Sequence, residues 1–134
     1  MKVTEVKTIV LDNIRPYRGG RKWLFIQLMT DEGIIGLGER PTGGTTRVDS
    51  QVRLFHDLCE QFVIGENPFQ VEKMWQRIYA SRHDHRHPGM QSTPALSAIE
   101  MACWDALGKE AGKPVYELLG GAKRPLKKIG RAHV

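Results

Sequence analysis

STPALSAIEMACWDALGKEAGKPVYELLGG, residues Ser92 to Gly121, is the stretch whose reading decides the fold. Ser92 or Thr93 is placed to cap the first amides of a helix, and Pro94 falls in its first turn, where a missing N–H is harmless. Ala95, Ala98, Ile99, Ala102, Cys103, Ala106 and Leu107 recur at three- and four-residue steps. That spacing predicts one broad apolar stripe, and the small residues in it allow close packing. Trp104, Ile99 and Leu107 are expected in the core. Gly112 followed by Pro114 ends the helix, because glycine accepts the left-handed C′ conformation and proline cannot continue the ladder. A further short turn from Val115 to Leu119 closes on Gly120 and Gly121.

Working back toward the N-terminus, residues Ser81 to Pro88 are polar and rich in histidine. Before them, Asn67 as cap, Pro68 at the first position and Gln70 three residues on predict a capping-box start for a helix with Val71, Met74, Trp75 and Ile78 inward. An earlier helix carries Val48, Val52, Phe55, Cys59 and Phe62 on one seam and ends at Gly65. Upstream of it the pattern changes to strands. Val3 to Leu11 is rich in β-branched residues and ends at Asp12-Asn13, which favour turns. Trp23 to Thr30 is apolar on both faces, as a strand covered on each side would be, and Asp31-Glu32-Gly33 turns the chain before Ile34, Ile35 and Leu37. Strands first and helices afterwards predict an α+β domain, a three-stranded antiparallel meander followed by a helical bundle on one face.

The 134 residues suit one domain with one modest core. The net charge of +5 favours anionic partners in general, but Lys and Arg are scattered along the chain. Cys59 and Cys103 fall at apolar helix positions and read as buried thiols of a reducing compartment, with pairing left open. No run approaches a membrane span and no signal-peptide pattern opens the chain, so a cytoplasmic protein without membrane or nucleic-acid partners is expected.

Three loops could carry function. His83, His85 and His87 alternate with Asp84 and Arg86, so an extended segment would aim the imidazoles one way. A metal site, a solvated loop, and a loop that reaches an anion all remain open there, although Arg82 and Arg86 would repel a divalent cation. Arginine and histidine suit an anion such as a carboxylate, which makes Arg82, His85 and His87 candidate ligand contacts. The other two loops are the cationic Arg15 to Arg21 and the glycine-rich Glu39 to Arg47. Gly36-x-Gly38 is no dinucleotide fingerprint, since the third glycine and the following helix are wrong for it. These glycines instead allow close backbone approach. No nucleophile paired with a base is visible, and Asp105 is placed to pair with Lys109 one turn on.

Ala98-Ile99-Glu100-Met101-Ala102-Cys103-Trp104-Asp105, then Gly108-Lys109, Gly112, Pro114-Val115 and Leu118-Leu119-Gly120-Gly121, closely resembles a signature of the mandelate racemase and muconate lactonizing branch of the enolase superfamily. Glu100 and Cys103 depart from it, standing where aspartate and leucine are more usual. The resemblance implies an N-terminal capping domain over residues 1–122, a linker over 123–128, and a (β/α) barrel beyond. A barrel alone needs about 250 residues. In that family barrel carboxylates hold Mg²⁺ and a Lys or His removes the proton α to a carboxylate, so no catalytic residue or metal ligand is expected in this chain. Two N-terminal loops of the cap fold over the barrel mouth, and by position Tyr17, Arg18, Arg21, Thr42 and Thr45 become candidate substrate contacts. The implied activity is an acid-sugar dehydratase acting on gluconate, galactonate or mannonate, with a racemase, epimerase or cycloisomerase as alternative and a homo-oligomer as the full-length form. A basic, non-catalytic module for polyanions is the rival from another class. A cap without its barrel should also expose apolar surface.

The last six residues, Ile129-Gly130-Arg131-Ala132-His133-Val134, have a separate reading. ATC GGA AGA GCA CAC GTC encodes them, and that string matches a common short-read sequencing adapter. The expectation is a reading frame that ran into adapter, with the natural sequence lost near Lys127 or Lys128. Codons unlike the adapter in the source read would sink this.

Overall fold

In the computed structural model, which describes residues 1–16, 20–43, 47–81 and 91–121, three strands pair as an antiparallel meander. They are β1 (Val3–Asp12), β2 (Lys22–Thr30) and β3 (Ile35–Arg40), in the order β1-β2-β3. Gly33 at φ +80° makes the tight β2–β3 turn, where the Thr30 amide donates to the Ile34 carbonyl at 3.0 Å. Four helices follow: α1 (Asp49–Phe62), α2 (Val71–Ser81), α3 (Ser92–Ala111) and the short α4 (Val115–Leu118). The sequence expectation of a meander sheet with helices on one face is met. The linker and hexapeptide expectations at 123–134 lie outside the described residues. Among the described residues no helix is long and apolar enough to cross a membrane.

The core forms where the inward residues of the sheet meet the helix stripes. Leu24, Ile26 and Leu28 of β2, Phe55, Leu58 and Cys59 of α1, Ile78 of α2, and Ala95, Ala98, Ile99, Ala102 and Cys103 of α3 are all buried. On β3 the inward positions are Gly36 and Gly38, and α3 rests directly on them. A Cβ at Gly36 would lie 2.0 Å from the Ala102 carbonyl oxygen, and one at Gly38 would lie 1.9 Å from that of Ala98. Two strand residues advance about 6.8 Å and four helix residues about 6 Å, so glycine pairs at i, i+2 stay in step with alanines at i, i+4. Gly36-x-Gly38 is therefore the footprint of α3.

Helix α3 also guards the free side of β3, an edge strand with unpaired backbone groups. The Leu37 amide donates to Asp105 Oδ2 at 2.8 Å, Lys109 Nζ donates to the Ile35 carbonyl at 2.6 Å, and the two side chains meet at 2.7 Å. The expected Asp105–Lys109 pair is present and occupies the place of a fourth strand. Asp105→Ala is expected to cost about 1.5 kcal/mol, the low end for a charge-assisted bond, because water reaches the site. Hydrogen exchange should show the Leu37 amide losing protection while the Ile26 amide keeps its own.

Several local expectations need correction. Helix α3 has Gln91 as its N-cap with no side-chain cap bond, and Ser92 is buried in the first turn rather than capping. Asn67 does not open a capping box: its Oδ1 accepts the Phe69 amide at 3.0 Å in a turn that precedes α2. Gln70 supplies the carbonyl for the Met74 amide, while its side chain accepts from Lys73 instead of reaching back. The helix thus starts one turn late, because Pro68 and the Asn67 bond satisfy the entry amides before it. Trp104 and Leu107 are only half-buried, unlike Ile99, because Ala98, Ala102 and Ala106 take the helix face toward the sheet. Trp75 likewise sits on the flank of α2, stacked on Tyr79 at 4.8 Å between ring centroids, while Val71, Met74 and Ile78 point inward. The α1 seam is turned toward Gln51, Phe55, Leu58 and Cys59, leaving Val52 and Phe62 partly covered. The C-terminal end of α3 follows expectation: Gly112 is left-handed at φ +62°, and the Lys113 amide returns to the Gly108 carbonyl at 2.9 Å.

One face of β2 remains open. Trp23, Phe25, Gln27 and Met29 are half-buried, with the Trp23 and Phe25 rings stacked at 6.3 Å, and Leu11, Ile35 and Leu37 beside them are exposed. Both-sided cover of β2 is thus not found among the described residues, while the expected exposed apolar surface is.

Cys59 and Cys103 are free and fully buried, as expected. Burial pushes the Cys103 thiol from its usual 9.0 up to about 12, and Cys59 is raised further, with Cys103 nearby adding to the effect. A thiol held neutral in the fold stabilises it fully below its unfolded pKa and loses that contribution as pH climbs through 9 toward the folded value. Denaturation midpoints should therefore fall above about pH 9, and less steeply in Cys59→Ala/Cys103→Ala than in the parent. Iodoacetamide at pH 8 should leave both native thiols unmodified and label both in urea.

Candidate functional site

Strand alternation that buries Gly36 and Gly38 also turns Arg40 inward, two residues on. Here the strand has run past the alanine stripe of α3 to the start of that helix, so there is room for a large side chain. Arg40 is 1% exposed and donates from Nη2 to Gln91 Oε1 at 3.0 Å. Burial lowers its pKa from the usual guanidinium value. The chain then leaves the sheet through Pro41 and Thr42. Thr42 is also buried; its hydroxyl donates to the Lys22 carbonyl at 2.8 Å, and its own carbonyl takes a 3.5 Å bond from Gln51 Nε2 in the first turn of α1.

The first loop is tied down at the same place. Asn13 Nδ2 donates to the Gly20 carbonyl and the Asn13 amide to the Arg21 carbonyl, both at 2.8 Å. Lys22 Nζ reaches Asp12 at 2.6 Å. A Cβ on Gly20 would stand 3.8 Å from Thr42 Oγ1, so the bases of the two loops touch. Arg40, Thr42, Arg47, Ser50, Gln51 and Gln91 line a cleft of about 370 Å³ at this corner.

Of the candidates proposed from the sequence, Thr42 lines this cleft with its hydroxyl committed to the Lys22 carbonyl, while Arg21 is not among the lining residues and holds the Asn13 amide through its carbonyl. Tyr17, Arg18, Thr45, Arg82, His85 and His87 lie outside the described residues. Gly20, Gly43, Arg47 and Gln91 lie at this corner. Arg40, Gln51 and Gln91 were not anticipated. Two of them had a signal: Arg40 continues the inward alternation of the two glycines, and Gln51 is a polar residue four before Phe55 on the buried helix face. Gln91 had none.

Chemically the corner offers guanidinium and amide groups for binding oxygen-rich ligands. Among the described residues no three His, Cys, Asp or Glu side chains gather where they could hold a metal ion.

Comparison with known proteins gives this corner its setting. Residues 11–120 match the mandelate racemase / muconate lactonizing enzyme N-terminal domain. The D-galactonate dehydratase of Pectobacterium atrosepticum is 37% identical over 125 residues, covering 92% of this chain and 29% of that protein. The D-galactonate dehydratase of Xanthomonas euvesicatoria pv. vesicatoria is 37% identical over 132 residues, covering 98% and 31%. Among solved structures, a candidate mandelate racemase/muconate lactonizing enzyme from Labrenzia alexandrii DFL-11 superposes with a TM-score of 0.84 at 38% identity, over 92% of this chain and 31% of its own. The chain thus spans about three tenths of the relatives it matches. On a match across most of its length, the chain belongs to the mandelate racemase / muconate lactonizing enzyme family, as that family's N-terminal domain.

Proposed function

We propose that this domain is the substrate-selecting cap of a larger Mg²⁺-dependent enzyme that removes the proton α to a carboxylate, and that the enzyme is an acid-sugar dehydratase acting on D-galactonate or a close relative such as gluconate or mannonate. The observation that carries the reading is the corner where both loop bases meet over a cationic cleft lined by Arg40 and Arg47. The D-galactonate dehydratase relatives supply the substrate class. In this reading the metal and the proton-abstracting base belong to the remainder of the polypeptide. The open face of β2 supports a domain that packs on something larger, and a homo-oligomer is part of the same proposal.

The test is the full-length protein recovered from its gene and offered D-galactonate, D-gluconate and D-mannonate with Mg²⁺. Loss of water to a 2-keto-3-deoxy acid is the expected result. Inversion or isomerisation without water loss would move the protein to the racemase, epimerase or cycloisomerase reading. Inertness toward all three acids, with salt-sensitive retention on heparin, would favour the polyanion-binding module.

A further inference from the structure

Arg40 is the only charged side chain buried among the described residues. A methionine would continue the inward alternation of Gly36 and Gly38 and fill similar room without taking a guanidinium out of water. Replacing a buried charged group by an apolar one of similar volume is often neutral or stabilising, even where the charge is well paired. The stability of the fold therefore does not account for an arginine at this place. Its use has to be sought in what it holds.

What it holds is the entry to α3. Nη2 donates to Gln91 Oε1 at 3.0 Å across 51 positions of chain, and Gln91 is the N-cap of that helix. Asp105 and Lys109 attach the other end of α3 to the start of β3, so the helix is fixed to the strand at two points. Arg40 itself ends β3, and two residues on the Thr42 hydroxyl is bonded to the Lys22 carbonyl at the start of β2. The β1–β2, β3–α1 and α2–α3 connections thus each have one end in a single knot. At 1% exposed, Arg40 offers a solute almost no surface. We propose that Arg40, acting through Gln91, is a positioning residue that fixes the first turn of α3 against the end of β3, and with it the relative placement of the three connections. That this placement serves substrate selection rests on the function proposed above; the tie itself rests on the geometry, since a charge-assisted bond from a planar guanidinium is directional.

The test uses the full-length protein on D-galactonate with Mg²⁺, carrying Arg40→Met and Gln91→Leu alone and together. Arg40→Met should raise KM about tenfold with kcat within about threefold of the parent, while its Tm holds or rises. Gln91→Leu, at an exposed position, should raise KM in the same direction. The double variant should be no worse than Arg40→Met, because the two residues act as one unit. Gln91→Glu keeps the acceptor and should keep the parent KM. In hydrogen exchange the Ala95 and Leu96 amides, in the first turn of α3, should lose protection in Arg40→Met and in Gln91→Leu, while the Ile26 amide keeps its own. A parent-like KM in both single variants, losses that multiply in the double variant, or Gln91→Glu as impaired as Gln91→Leu would each overturn the proposal. If the parent turns over no acid sugar, the proposed function fails and hydrogen exchange alone decides: unchanged protection at Ala95 and Leu96 would overturn the positioning role.

Discussion

Gly38→Ala is expected to destabilise the domain by at least about 3 kcal/mol, beyond the usual range for overpacking, because the obstacle is backbone. The added methyl would sit 1.9 Å from the Ala98 carbonyl oxygen and 2.9 Å from its carbonyl carbon. No rotamer relieves such a contact, so α3 must lift from the sheet. Lifting it also pulls Asp105 and Lys109 from the edge of β3. Gly36→Ala should behave alike, with the Ala102 carbonyl oxygen at 2.0 Å. Shaving the helix side chain offers a control: Ala98→Gly should not rescue Gly38→Ala, since the clashing atom is not in the side chain. By contrast, Gly43→Ala meets no atom of the described residues within 4 Å and bears the strain of its φ of +64°, worth about 1 kcal/mol. Urea denaturation of the three variants would rank them. A Gly38→Ala midpoint close to that of the parent would mean that α3 does not rest on β3 as described.

The same ladder explains which parts of the molecule could be read from the chain. Strands and helices were legible because their signals are local: β-branched runs, a glycine turn at Gly33, and Gly112 before Pro114. The close approach was half legible, since Gly36-x-Gly38 and the alanines of α3 each advertise small size without saying that they face one another. Caps were misplaced where a side chain had two possible partners. Asn67 could serve a helix or the turn before it, and only the path set by Pro68 and Phe69 decides. Helical periodicity gives a stripe but not its centre, which is why Trp104 and Leu107 lie half-buried at its margin. The cleft was least legible. Arg40 and Gln51 lie 11 positions apart and Gln91 a further 40, and their meeting depends on α3 running back along β3 so that its first turn lies over the strand's last residue.

Phe55→Ala is expected to cost about 3–5 kcal/mol, the range for a fully buried aromatic truncated in a core that cannot close the gap. Phe55 is 0% exposed and lies on the α1 seam with Leu58 and Cys59, within the cluster that includes Ile78 of α2 and Ile99 of α3. Such a loss is a large fraction of the roughly 5–15 kcal/mol that a domain has in total. The chain supplies its own scale, for its four phenylalanines occupy different surroundings. Phe62 is partly buried beside Arg77, whose guanidinium carbon lies 5.9 Å from the ring centroid, and Phe69 is 38% exposed. Phe62→Ala should therefore lose less than Phe55→Ala, and Phe69→Ala about 0.5 kcal/mol or less. Phe25, half-covered on the open face of β2, distinguishes the domain alone from the domain in place. If the full-length protein covers that face, Phe25→Ala should be mild in the 134-residue chain and markedly more costly in the whole protein. The Phe55 cost should be the same in both, because its surroundings are complete within this domain.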